Sequence, residues 1–131
     1  MPAFLLDSAV AIAAAFEEHE HNERVQTWMA GVESLALCPI TQGALFRYAL
    51  RLGESVRTAH ALLNALAEDE RVAFWPDDLS YSEVPFEGVR GHRQVTDVYL
   101  AHLATVRAGL LATLDEGLHQ LRPQATLLIP G

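Results

Sequence analysis

Short apolar runs alternate with helical segments along the whole chain, and this alternation is the feature that most restricts the fold. The runs are four or five residues long and cover residues 3–6, 34–38, 71–75, 110–114 and 126–129, the last of them predicted to lie at an edge. Runs of this length suit buried strands. Strands that alternate with helices form mostly parallel sheets with both faces covered. The sequence therefore predicts an α/β fold, as a single domain over residues 1–131.

The segments between these runs predict the helices. They cover residues 9–16, 23–30, 42–52 and 54–68, followed by a helix that begins near Gln94 and stops at Gly109. Thr41 is the predicted cap of the third helix, and Gln94 or Thr96 that of the last. Residues 77–90 lack a sustained period and predict a loop with one short helical turn, and residues 116–121 predict a short turn.

The last long helix and the strand after it place two acids together. From Asp97 to Arg107 a helix rises about 15 Å, and residues 110–114 as a strand cover about 16 Å in return. Asp97 and Asp115 should therefore lie at the same edge of the sheet. Ligands of open parallel sheets bind beyond the carboxyl ends of the strands, and Asp7 follows the first predicted strand at that edge.

Each of these aspartates alone is explained by helix capping. Three carboxylates in one crevice repel each other, however, and leaving them unpaired would cost several kcal/mol unless a cation compensates. Oxygen ligands without nearby His or Cys select Mg²⁺ or Mn²⁺ rather than zinc. Asp7, Asp97 and Asp115 are therefore candidate metal ligands, and a metal held in this way is suited to phosphodiester hydrolysis.

Composition limits the partners and the compartment. The net charge is −8 and all nine basic residues are arginines, so the chain is a poor general binder of nucleic acid and suits a basic protein partner. The single cysteine, Cys38, excludes an internal disulfide and is predicted to be a buried strand residue. No segment reaches the roughly 18 apolar residues that span a membrane. We expect a cytoplasmic protein without a membrane partner.

Six segments together resemble the PIN-domain ribonucleases, and among them the VapC toxins of bacterial toxin–antitoxin pairs. They are FLLDSAVAIA with Asp7, HNERVQTWMAG, LCPITQGALFRYAL, FWPDD, GHRQVTDVYLAHLA with Asp97 and LATLDEGL with Asp115. The resemblance implies an α/β/α sandwich in which the three acids bind Mg²⁺, with Mn²⁺ as an alternative, and cleave RNA as an endoribonuclease. It also implies a homodimer and a cognate antitoxin that covers the site.

One position departs from the family pattern. Gln42 stands where the family commonly has glutamate, which removes a charge but keeps an oxygen that can support the metal. Ser8 and Thr113 stand beside the acids and are candidates for fixing metal-bound water, although Thr113 also fits an ordinary strand residue. His92 and Arg93 precede the Asp97 helix and are candidates for contacting RNA phosphate.

Two alternatives follow from the same residues. The first is a degenerate PIN domain that binds RNA or antitoxin with little catalysis, because Gln42 brings no charge. The second is a non-enzymatic α/β interaction module whose aspartates are only helix caps.

Overall fold

The structure, a computed structural model, describes residues 2–131 and is built on one parallel sheet. The strands are β1 (Phe4–Leu6), β2 (Leu35–Leu37), β3 (Val72–Phe74), β4 (Leu110–Thr113) and β5 (Thr126–Leu128). Their order across the sheet is β3-β2-β1-β4-β5, and every neighbouring pair is parallel. The predicted α/β fold is confirmed, and β1 lies at the centre of the sheet.

Helices cover both faces of this sheet. They are α1 (Ser8–Ala15), α2 (Asn22–Ala30), α3 (Pro39–Arg51), α4 (Val56–Ala67), α5 (Arg93–Val106) and α6 (Glu116–Leu121). Successive strand residues point to opposite faces, so Leu6 packs in the core formed with α1 to α4, whereas Leu5 packs in the core formed with α5 and α6. The result is an α/β/α sandwich with two apolar cores, one on each side of the sheet.

The segment between β3 and α5 completes the second core. It contains one turn of 3₁₀ helix, Tyr81–Glu83, as predicted, and it buries Val84. The Tyr99 hydroxyl of α5 donates a hydrogen bond to the Leu79 carbonyl at 2.8 Å, and Arg122 donates to the Pro85 and Glu87 carbonyls. The loop is therefore held by α5 through Tyr99 and by the end of α6 through Arg122.

The start of α3 differs from the prediction. The helix begins at Pro39, not at residue 42, because proline lacks the N–H that a first helical turn leaves unpaired. Thr41 lies inside that turn, fully buried, where its hydroxyl accepts a hydrogen bond from the Cys38 N–H and donates one to the Cys38 carbonyl. Cys38 is buried, as predicted, but it follows β2 and precedes the helix.

The two ends of α5 also differ from the prediction. Neither Gln94 nor Thr96 caps the helix; the Gln94 side chain instead accepts hydrogen bonds from the N–H groups of Arg90 and Gly91 and closes the preceding turn. The helix ends at Val106, before Gly109, and the left-handed residue beyond it is Ala108, with φ of 59°. The short turn predicted at residues 116–121 is the helix α6.

Within residues 2–131, no helix has the length and apolar character needed to cross a membrane.

Gly109 permits the closest backbone approach in this part of the fold. A Cβ at this position would clash with the Ala3 carbonyl oxygen and lie 3.0 Å from the Trp75 ring. The first of these neighbours is backbone and cannot rotate away, so the β1 to β4 pairing, which begins here, requires glycine.

We expect Gly109→Ala to lower the free energy of unfolding by about 2 to 3 kcal/mol, because the added methyl group overpacks the sheet against backbone. Urea unfolding followed by circular dichroism measures the change. Gly91→Ala is the matched control, since a Cβ there would meet no heavy atom within 4 Å, and its effect should stay within about 0.5 kcal/mol. Equal losses in the two variants would contradict the steric explanation.

Candidate active site

Two neighbouring strands carry Asp7 and Asp115 to the carboxyl edge of the sheet. Asp7 follows β1 directly, and its backbone N–H donates a hydrogen bond to the Ala112 carbonyl of β4 at 3.0 Å. Asp115 lies two residues beyond the end of β4. Asp97 reaches the same edge from the first turns of α5, and the charges of Asp7 and Asp115 both act on its carboxylate. The structure thus places the three predicted acids close enough for their charges to interact.

Asp7 is the most enclosed of the three acids, with 5% of its surface exposed. Its Oδ1 accepts a hydrogen bond from the Ser8 N–H at 2.8 Å as the N-cap of α1, and its Oδ2 accepts one from the Thr113 hydroxyl at 2.8 Å. Burial raises the pKa of the Asp7 carboxyl, the two hydrogen bonds oppose the rise, and the Asp115 charge adds to it.

Thr113 connects two of the acids. Its fully buried hydroxyl donates to Asp7 Oδ2 and accepts a hydrogen bond from the Asp115 N–H at 3.1 Å. A hydroxyl has a single proton to donate, and in this site the proton is given to Asp7. Thr113 is therefore a strand residue, the last of β4, whose hydroxyl also orients the Asp7 carboxylate. Ser8 contributes to the site through its backbone N–H.

Asp115 is exposed and caps α6. Its Oδ1 accepts a hydrogen bond from the Leu118 N–H at 3.1 Å. A Cβ at Gly117 would lie 3.2 Å from the same Oδ1. Helix capping therefore accounts for Asp115, as it does for Asp7.

Helix capping does not account for Asp97. This residue is the fifth of α5, beyond the positions whose free N–H groups a cap can satisfy. Its carboxylate forms no hydrogen bond within residues 2–131, and its pKa is raised from the ordinary value of 3.8 to about 7. Burial is the largest cause, followed by the charges of Asp7 and Asp115. The fold holds this carboxyl group beside two others without any partner for it.

The remaining predicted site residues surround this edge. Gln42 is half-buried in the first turns of α3, which follows β2, the neighbour of β1 on the side away from β4. His92 and Arg93 are exposed at the start of α5, about one turn before Asp97. The His92 side chain does not cap the helix. Both basic residues therefore remain candidates for a phosphate contact.

The acids fit a hard divalent cation by their chemistry. They supply only oxygen donors. Burial is the largest cause of the raised pKa of Asp97, and the charges of Asp7 and Asp115 add a repulsion that a cation between the acids would relieve. As placed, no three His, Cys, Asp or Glu side chains in residues 2–131 form a closed metal-binding group. The three carboxylates interact electrostatically but are not drawn together.

Known proteins provide an independent comparison. No protein-family model matches the chain. It is 46% identical over 127 residues to ribonuclease VapC29 of Mycobacterium tuberculosis, a match that covers 96% of each chain. It is also 32% identical to ribonuclease VapC38 of the same organism, over 92% of this chain and 90% of the relative, and 31% identical to ribonuclease VapC44, over 97% and 92%.

Two solved structures share the architecture. VapBC2 from Rickettsia felis, bound to a promoter DNA fragment, matches with a TM-score of 0.65 at 14% identity over 96% of both chains. FitAB bound to the IR36 DNA fragment matches with a TM-score of 0.66 at 20% identity over 95% of this chain and 94% of that one. The α/β/α sandwich is therefore a PIN-domain fold. With near-complete coverage by relatives that are 31 to 46% identical, the chain belongs to the VapC ribonuclease family, and the resemblance found in its sequence is confirmed.

The raised pKa of Asp97 predicts how the stability of the folded chain depends on pH. Because the pKa is higher in the folded chain, the folded state binds more protons than the unfolded state between about pH 4 and pH 7, and stability falls as the pH rises through this window. In chelator, Asp97→Asn should raise the free energy of unfolding at pH 8 by on the order of 1 to 2 kcal/mol, a figure discounted for solvent screening, and by roughly a third of that amount at pH 5.

Urea unfolding at the two pH values tests this expectation. Asp77→Asn, which removes an exposed carboxylate beyond β3, is the control. The change in its free energy of unfolding between the two pH values should equal that of the unmodified chain. A destabilised Asp97→Asn protein at pH 8 would mean that the carboxylate has a stabilising partner, contrary to the geometry above.

Proposed function

We propose that this chain is a metal-dependent endoribonuclease, the toxin of a toxin–antitoxin pair, and that Asp7, Asp97 and Asp115 hold Mg²⁺, with Mn²⁺ as a substitute. The observation that carries the proposal is Asp97: a carboxyl group that caps nothing, pairs with nothing in residues 2–131 and has its pKa raised to about 7 by burial and by two neighbouring acids. A purely structural acid would gain a partner. A chain 46% identical to a ribonuclease, VapC29, supports RNA as the substrate.

Each residue has a distinct role in this proposal. Asp7 is fixed in orientation by the Ser8 N–H and the Thr113 hydroxyl, so it supplies a preorganised oxygen. Asp97 offers both of its oxygens, and Asp115 offers the one that the Leu118 N–H does not engage. A divalent ion held by these groups would neutralise phosphate charge and lower the pKa of a water for attack on the phosphodiester.

The surrounding residues position the RNA. Arg93 and His92, exposed one turn before Asp97, are placed to hold a phosphate next to the acids. Gln42 offers an amide oxygen without charge, as a supporting ligand. The neutral amide also favours the second candidate function, in which the same site binds RNA or antitoxin but cleaves slowly.

The proposed partners follow from the same relatives. VapBC2 and FitAB are complexes of a toxin with its antitoxin. Because this chain shares their fold, we propose that it also binds a cognate antitoxin. The net charge of −8 suits a partner that presents basic residues to the acidic edge. We further propose that a single domain over residues 1–131 acts in the cytoplasm as a homodimer, with no membrane partner.

Cleavage of total cellular RNA tests the activity. Purified protein with Mg²⁺ or Mn²⁺ should produce discrete fragments, chelator should abolish them, and Asp97→Asn should reduce their rate of formation by about 100-fold or more, because the variant removes a charge at the reacting centre. Asp77→Asn is the control and should cleave normally. Fragments that persist in chelator or in Asp97→Asn would contradict the proposal, and intact RNA under all conditions would favour the slow-cleaving binder.

A separate variant tests the role of Gln42. Gln42→Glu adds a fourth charge at the same edge and should lower the Mg²⁺ concentration needed for thermal stabilisation by roughly five- to tenfold. Gln124→Glu adds the same charge just before β5, at the opposite edge of the sheet, and should leave the Mg²⁺ dependence unchanged. If Gln42→Glu weakens the response to Mg²⁺, then Gln42 is not part of the metal site.

A further inference from the structure

The arginines of this chain divide into two groups by what their side chains contact. Four of them donate hydrogen bonds or form ion pairs that hold neighbouring segments: Arg24, Arg71, Arg107 and Arg122. The side chains of the other five are exposed and form neither hydrogen bonds nor ion pairs within residues 2–131. These five are Arg90 and Arg93 at the start of α5, and Arg47, Arg51 and Arg57 on α3 and α4.

The helical hairpin formed by α3 and α4 is cationic although the chain is acidic. Residues 39–67 contain three arginines and a single acid, Glu54, and therefore carry a formal charge of +2. Since the whole chain carries −8, the remainder carries −10. We call the exposed surface that presents Arg47, Arg51 and Arg57 the basic face. Cations concentrated on one segment of an acidic chain are suited to bind an anion there.

The basic face begins beside the acidic edge of the sheet. Cys38, the N-cap of α3, directly follows β2, just as Asp7 directly follows β1, and these parallel strands are neighbours in register. The start of α3 is therefore about one strand spacing, roughly 5 Å, from Asp7. The Arg47 side chain folds back toward this end of the helix, because its Nη1 lies 3.3 Å from the position that a Cβ of Gly43 would occupy.

The face continues to the far end of α3. Arg51 is the last residue of this helix, about 18 Å along its axis from the first residue, and Arg57 lies in the first turn of α4. The three arginines are therefore spread over a path much longer than one nucleotide, which suits a polymer of phosphates better than a single small anion.

We propose that the basic face binds the sugar–phosphate backbone of the RNA, so that the strand leaves the acids and runs along α3 with phosphates on Arg47, Arg51 and Arg57. The inference rests on the proposed ribonuclease function and specifies its substrate: RNA that continues for several nucleotides beyond the cleaved bond. Guanidinium groups bind phosphate in a bidentate manner. Such contacts set the path of the strand and carry no sequence information directly.

A second copy of this chain is the competing occupant of the basic face. Leu50 and Val56, next in sequence to Arg51 and Arg57, are 46% and 53% exposed, and exposed apolar side chains suit a protein contact. A twofold contact, however, would place the same surface of both copies together. The arginines would then face each other, and like charges disfavour such an interface. An RNA backbone meets no such repulsion.

The salt dependence of RNA binding tests the proposal. A fluorescein-labelled oligouridine is titrated with the protein in chelator, at KCl concentrations from about 50 to 200 mM, and binding is followed by fluorescence anisotropy. The pair Arg51→Gln and Arg57→Gln should lower the slope of log affinity against log salt by about 1.4, at roughly 0.7 for each phosphate contact with a single strand, and weaken binding by about tenfold. Arg51→Lys with Arg57→Lys keeps both charges and should keep the slope.

The pair Gln120→Glu and Gln124→Glu is the matched control. Both residues are exposed, at the end of α6 and just beyond it, and the pair changes the net charge by the same amount. It should leave the slope unchanged, and thermal denaturation confirms that all variants are folded. Equal losses in the two pairs would mean that overall charge sets the affinity, and would overturn the proposal.

Two other results would also overturn it. The first is RNA binding by the arginine-to-glutamine pair that equals that of the unmodified chain. The second is a loss of self-association in sedimentation without any change in RNA binding, which would assign the basic face to a second copy.

The two proposals fail separately, because binding is measured without metal or cleavage. Metal-dependent cleavage that Asp97→Asn abolishes, together with an unchanged salt slope in the arginine-to-glutamine pair, would leave the ribonuclease in place and remove the basic face from RNA binding. A lowered slope without cleavage of any RNA would keep the basic face and remove the catalytic function.

Discussion

The hydrogen bond between Thr113 and Asp7 is the interaction on which the candidate site depends. It joins the ends of the two adjacent strands β1 and β4, and through the Asp115 N–H it also fixes the turn into α6. A buried hydrogen bond to a carboxylate contributes about 1.5 to 3 kcal/mol, and here it opposes the rise that burial causes in the pKa of Asp7. The central acid therefore remains oriented in an environment that disfavours its charge.

The two remaining acids differ in what the fold gives them: Asp115 caps a helix, whereas Asp97 has no hydrogen-bond partner within residues 2–131. Asp115 is stabilised by the N-terminus of α6, so its position is useful to the fold with or without a ligand. Asp97 gains nothing comparable, and its raised pKa means that the fold tolerates a destabilising group. Such tolerance is typical of functional sites, where the environment shifts pKa values for a purpose other than stability. Helix capping alone, the simplest alternative for these aspartates, explains two of the three.

The sequence predicted much of this architecture because its signals are strong where strands are short and buried. The five strands, the parallel sheet and the meeting of Asp7, Asp97 and Asp115 at one edge follow from apolar runs and from the lengths of a helix and a strand. The predicted start of α3 was wrong because a proline can either end a strand or open a helix, and the local pattern does not show which role Pro39 has. The bridge through Thr113 depends on a contact across 106 residues of sequence, which no local pattern encodes.

The loop between β3 and α5 serves the core and the surface at once. Its inner side buries Val84, while its outer side exposes Tyr81. Insertions or deletions in this loop would uncover the second core, so its length is under structural constraint. Change in this part of the molecule must therefore proceed by exchange of outward-facing side chains on an unchanged backbone, which leaves the packing of Val84 intact.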